Sequence, residues 1–89
     1  MSSDQTTLLE FPCRFPIKAM GRAHPTLTEH VVSLVGRHAP GITADDVQTR
    51  PSSRGNYIAI TITVTATSRE QLDAIYMDLS ADENILMAL

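Results

Sequence analysis

Between Pro51 and Ala66 the chain runs through a polar turn, Pro51-Ser52-Ser53-Arg54-Gly55-Asn56-Tyr57, into a stretch where Ile58, Ile60, Ile62, Val64 and Ala66 alternate with Ala59, Thr61, Thr63 and Thr65. β-Branched residues in strict alternation specify a pleated strand, because successive side chains point to opposite faces. The aliphatic set must therefore line a core. Tyr57, Ala59, Thr61, Thr63 and Thr65 then form a second face that is polar but uncharged. A strand of this kind needs neighbours on both edges, so the rest of the chain has to supply a sheet and a cover for one side of it.

The length allows one small domain. With 89 residues and 43% hydrophobic content, nearly every large apolar side chain is needed in a single core. The net charge of −3 argues against tight, non-specific binding to nucleic acid or anionic lipid, which requires a basic face. The charges are nonetheless uneven: positions 1–69 hold all 7 basic residues, whereas Glu70, Asp73, Asp78, Asp82 and Glu83 follow with no base among them. No apolar run is long enough to cross a bilayer and the first residues lack a signal-peptide pattern, so a cytoplasmic protein is expected. Cys13 is the only cysteine, which excludes an internal disulfide and a cysteine metal site. Arg14 beside it would favour a thiolate, but a lone cysteine reads more simply as a small apolar residue.

Along the chain, Met1–Thr7 is polar and expected to fray, and positions 1–13 read as an extension ahead of a domain over 14–89. Leu8, Leu9 and Phe11 would lie against that domain. Pro12 and Pro16 argue against regular pairing at those positions, so a first strand is expected over Phe15–Arg22, regular only from about Ile17. Ile17, Ala19 and Gly21 would face the core, with Lys18 and Arg22 outward. After His24-Pro25, Thr26 and Glu29 have the spacing of a capping box. Leu27, Val31, Leu34, Val35 and His38 form one helical stripe, and Pro40-Gly41 ends it. A less regular strand is expected over Asp46–Arg50, joined by the Ser52–Asn56 turn to the strand already described. Ser68 and Gln71 open a second helix with Leu72, Ile75, Tyr76 and Leu79 inward, and Ile85–Leu89 closes as a short apolar strand that leaves Leu86 at a sheet edge.

The order strand, helix, strand, strand, helix, strand predicts an α+β domain, the ferredoxin-like βαββαβ split sandwich: a four-stranded antiparallel sheet with two helices on one face. Its first and third strands are central neighbours. Lys18, Met20 and Arg22 would then share the helix-free face with Tyr57, Thr61 and Thr63.

Leu8-Leu9-Glu10-Phe11-Pro12, Lys18-Ala19-Met20-Gly21, Arg37-His38-Ala39-Pro40-Gly41 and above all Pro51–Tyr57 resemble the signature blocks of the YbeD-like family of small bacterial proteins. The resemblance spans nearly the whole chain. It implies the ferredoxin-like fold, similar to ACT regulatory domains, and no established catalytic residue. A link with lipoate metabolism proposed for that family would rest on the resemblance alone.

The residues themselves show no catalytic pattern. His24, His30 and His38 are the candidates for acid–base or metal work, but their spacing does not place two on one helical turn, and they read as structural or solvated. No phosphate loop, nucleophile elbow or metal-ligand spacing is present, so neither catalysis nor a cofactor is expected. Arg54-Gly55-Asn56-Tyr57 partly imitates the third strand of RNA-recognition motifs, yet Tyr57 is the only stacking ring on its face. The preferred expectation is a non-catalytic regulatory or adaptor domain. It would bind a small anionic metabolite or a protein partner through Lys18, Arg22, Arg50, Ser52, Ser53, Arg54, Asn56 and Tyr57, with a single-stranded RNA-binding module as the alternative. Weak self-association through the edge strand at 85–89 is a subsidiary expectation.

Overall fold

The computed structural model describes residues 9–89. The expected frayed stretch Met1–Thr7 lies outside them. The elements are β1 (Cys13–Arg22), α1 (Leu27–Gly36), a 3-10 turn (Ala44–Asp46), β2 (Val47–Pro51), β3 (Tyr57–Ala66), α2 (Arg69–Ala81) and β4 (Ile85–Ala88). The strands form one sheet in the order β2-β3-β1-β4, and every neighbouring pair is antiparallel. This is the expected α+β split sandwich.

The alternation in β3 sorts its side chains as anticipated. Ile60, Ile62, Val64 and Ala66 are buried against both helices' inner stripes, Leu27, Val31, Leu34 and Val35 from α1 and Leu72, Ile75 and Leu79 from α2. β1 contributes Ile17 and Ala19, β4 contributes Ile85, and Phe11 packs against the same cluster from ahead of β1. Gly21 is where β1 passes under the turn before β4: a Cβ there would collide with the Asn84 carbonyl oxygen. Only glycine allows that approach.

Several local expectations need correcting. β1 begins at Cys13, with Pro16 inside it opposite Thr63. Lys18 exchanges backbone hydrogen bonds with Leu89 (3.0 and 2.8 Å), so even-numbered amides of β1 point toward β4. Pairing on that side reaches only as far as Lys18, and the missing amide of Pro16 therefore breaks no ladder bond. The capping box at Thr26 does not form. Thr26 sits at φ −105°, ψ 4° rather than in extended backbone, and its Oγ1 lies 3.0 Å from His24 Nδ1 instead of capping the helix. A different reciprocal contact appears at Thr43, whose amide (3.0 Å) and hydroxyl (3.3 Å) both donate to Asp46 Oδ2 while its carbonyl accepts from the Asp46 amide (2.9 Å), fixing the 3-10 turn. α1 ends at Gly36, ahead of Pro40-Gly41, and the His38 and Ala39 amides beyond it both donate to the Val35 carbonyl. His38 therefore falls past the helix and only half-buried. The second cap does form: Gln71 N–H donates to Ser68 Oγ at 3.1 Å.

Candidate binding surface

The helices cover one side of the sheet; among the described residues no element covers the other. Register decides what that bare side presents. Across the sheet, Arg50 of β2 stands opposite Ala59 of β3, Ala59 opposite Met20 of β1, and Met20 opposite Met87 of β4. The next row along holds Gln48, Thr61 and Lys18. On the other side of Met20, Arg22 pairs with Tyr57. Lys18 and Arg22 each lie two positions from Met20 on the same strand, about 7 Å along β1. Met20 (37% exposed), Tyr57 (38%) and Met87 (52%) thus form an apolar centre, and Lys18, Arg22 and Arg50 stand around it. No acidic residue occupies an open-face position of any strand.

One basic residue on this face is committed. Arg14 donates to Thr65 Oγ1 at 3.0 Å and forms an ion pair with Asp46 at 2.5 Å. The Thr43 backbone amide and the Arg14 guanidinium hold the Asp46 carboxyl below the usual carboxylate range. Lys18, Arg22, Arg50 and Arg54 have no ion-pair partner among the described residues. Among the described residues the positive charge is therefore neutralised at the Arg14 end and has no ion-pair partner around Met20.

The β2–β3 hairpin is held by its own polar groups. Ser52 N–H donates to the Tyr57 carbonyl (2.8 Å), Tyr57 N–H to Ser52 Oγ (3.1 Å) and Gly55 N–H to the Ser52 carbonyl (2.9 Å). Gly55 takes φ +75°, a backbone that a side chain would strain. Asn56 accepts from Ala23 N–H at 2.9 Å, tying the hairpin to the end of β1. Met20, Arg50, Pro51, Ser52, Ser53, Tyr57 and Ala59 line a shallow depression of about 410 Å³. A second, of about 380 Å³, adjoins it along Lys18, Gln48, Thr49, Arg50, Ala59 and Thr61. Of the residues singled out from sequence, Lys18, Arg50, Ser52, Ser53 and Tyr57 thus come together. Arg22 flanks them beside Tyr57 and also lines a separate cleft with His24 and His30. Arg54 is exposed in the hairpin turn, and Asn56 contributes its backbone carbonyl to the scaffold.

Met87 was not identified from sequence. Residues 85–89 are apolar without alternation, and a register irregularity between Met20 and Gly21 sets which of them shares the open face. Met20 carried a readable signal, its parity with Lys18 and Arg22.

The histidines belong to the other layer. His30 Nε2 lies 2.6 Å from Asp82 Oδ2, and His38 Nε2 lies 2.7 Å from Asp78 Oδ2, so each links the α1 segment to α2 or its end. Partial burial would raise the Asp82 carboxyl, but hydrogen bonds from the Asn84 amide and His30 outweigh it and leave Asp82 below its usual range. No cluster of three or more potential metal ligands occurs among the described residues. No helix among them is long and apolar enough to cross a membrane.

Fold and surface together define a small ferredoxin-like domain with an acidic helical layer and a basic sheet face that no element covers among the described residues. The fold is similar to that of the solution structure of protein HP0495 from H. pylori (TM-score 0.68, 12% identity, covering 91% of this chain and 85% of that one). Residues 6–89 match a family described as "Protein of unknown function (DUF493)", and the chain belongs to that family. It is 49% identical to a UPF0250 protein of Paraburkholderia phytofirmans and 46% identical to one of Chromobacterium violaceum, each over the full length of both chains. A UPF0250 protein of Neisseria meningitidis is 44% identical over 97% of this chain and 94% of its own. The YbeD-like resemblance is consistent with this membership.

Proposed function

We propose that this chain is a non-catalytic regulatory or adaptor domain of the cytoplasm, which binds a partner protein or a small anionic ligand through the open sheet face and the 50–57 hairpin. The observation that carries the reading is the contrast within one face: Arg14 is neutralised by Asp46, whereas Lys18, Arg22 and Arg50 surround exposed Met20, Tyr57 and Met87 without partners among the described residues. Apolar centres rimmed by charge are how recognition surfaces are built. The absence of catalysis is part of the same proposal. Both His–Asp pairs join helical elements, and the hairpin's Ser52 hydroxyl already accepts the Tyr57 amide. A role near lipoate metabolism has only the family resemblance behind it.

The test is site-specific cross-linking in cells. A photoreactive residue at Ser53 or Met87 is expected to give adducts, read by intact mass so that small ligands are seen too, while one at exposed Met77 on α2 gives none. Adducts from Met77 alone would overturn the assignment of the face. Single-stranded RNA has one feature in its favour, Tyr57 beside Arg22 on a basic sheet. Against it stands the absence of further rings on the open face, since such sheets bind by stacking two or three bases.

A further inference from the structure

We infer that the occupant of the open face is an acidic amphipathic helix of a partner protein, with its apolar stripe on Met20, Ala59 and Met87 and its carboxylates on Lys18, Arg22 and Arg50. This rests on the proposed binding role of the face and names the chemistry of its partner. Three features lead to it.

The face offers side chains rather than backbone. Around Met20 and Ala59, β1 and β3 each have a paired strand on both sides, so an added strand could pair only along the outer strands or where β1 and β3 outrun them. A ligand lying on the face has to be read by side-chain contacts, and an amphipathic helix is the element that presents a continuous stripe of them. Anchors at i and i+3 or i+4 on such a helix are about 5–6 Å apart. That matches the strand spacing of about 4.8 Å that separates Ala59, Met20 and Met87 across the sheet.

The anchors are methionines, which adapt their shape to varied apolar partners. A phosphate or small carboxylate would gain nothing from Met20 and Met87, and a nucleic acid base would find one ring. The charge is complementary to acid alone. Lys18 and Arg22 flank Met20 on β1 and Arg50 lies beyond Ala59, with no acidic residue among the open-face positions of the strands. Carboxylates on either side of an apolar stripe would meet Lys18 and Arg22, and one at its end would meet Arg50.

The experiment titrates the ¹⁵N-labelled full chain with a synthetic helical peptide carrying a leucine stripe flanked by glutamates. Parallel titrations use its lysine-for-glutamate counterpart, a single-stranded RNA oligonucleotide and inorganic pyrophosphate. Amide shifts are expected at 18–22, 48–53, 57–61 and Met87 with the acidic peptide and not with the lysine version. Arg22→Glu with Arg50→Glu should weaken binding on the order of tenfold, and Met20→Ser should weaken it at unchanged salt dependence. If pyrophosphate or RNA shifts these amides and the acidic peptide does not, the helical partner is overturned while the binding face stands. Peptide shifts confined to α1 and α2, or none at all, overturn the inference, and the cross-linking pattern decides the wider reading separately. A second copy is the remaining occupant, since α2 carries Asp73 beside exposed Met77. Such a head-to-tail contact would form concentration-dependent chains; chains abolished by Met77→Ser would overturn the inference in favour of self-association.

Discussion

The two layers of this domain differ in which of their polar groups are paired. In the helical layer His30 meets Asp82, His38 meets Asp78, and the Gln71 side chain accepts the Thr67 amide at 2.6 Å while donating to the His38 carbonyl at 2.8 Å. On the bare sheet face Lys18, Arg22 and Arg50 meet no acid among the described residues. The acidic run from Glu70 to Glu83 lies in α2 and the turn after it, whereas Lys18, Arg22 and Arg50 stand on the sheet. Charges used for folding are spent within the fold; those around Met20 remain available to something outside it.

The sharpest way to break this contrast is along β3, where neighbouring residues face opposite sides of the sheet. Ile62 is fully buried, so Ile62→Ala should cost about 2–5 kcal/mol of stability through lost burial and the cavity left behind. Thr61→Ala, one residue away on the open face, should stay within about 0.5 kcal/mol. Denaturant unfolding of both variants decides it: a large loss at Thr61 would mean that the open face is structural.

That much of the design was legible because a strand's period is two and β3 obeys it without interruption. The same parity placed Lys18, Met20 and Arg22 on one face. What escaped depends on neighbours that local spacing does not specify. Pro16 is tolerated because of which side its missing amide faces, and that is set by where pairing with β4 stops. Thr26 has the residues of a capping box but not the backbone, since its hydroxyl turns to His24. Met87 joins the open face through a register irregularity. The His30–Asp82 and His38–Asp78 contacts bridge 52 and 40 residues, separations at which no sequence periodicity operates.

Within the helical layer, Gln71→Ala should cost about 1–2 kcal/mol, because one side chain serves the start of α2 and the end of the α1 segment together. Gln71→Glu separates the two jobs. It keeps an acceptor for Thr67 and loses the donor to His38, so a smaller loss than Gln71→Ala is expected in thermal unfolding. Equal losses would place the whole effect on the His38 carbonyl.

Acid should act on both layers. Asp46 and Asp82 hold their protons less tightly folded than unfolded, so their contribution is fully present above the unfolded carboxylate value and is lost as pH falls through the lower folded value. Melting temperature should therefore decline below about pH 4. Asp46→Asn and Asp82→Asn should each flatten that decline, and an unchanged acid limb in either variant would show that its carboxylate is not the group being titrated.

The smallest effect is expected at the edge. β4 is a short outer strand with Leu86 55% and Met87 52% exposed. Its outer backbone groups have no partner strand in the sheet order, which is the condition for pairing with a second copy. Antiparallel pairing of two β4 strands would close on itself as a twofold dimer, unlike the head-to-tail contact through Met77. Four residues make a weak interface, so the elution volume should shift only at high protein concentration. Leu86→Lys should remove that shift while altering monomer stability by no more than about 0.5 kcal/mol. Because Leu86 does not share the row of Arg50, Ala59, Met20 and Met87, and the new lysine would stand near Arg22, the same variant should not weaken binding of the acidic peptide. A parallel loss of both would mean that the edge and the face form one surface.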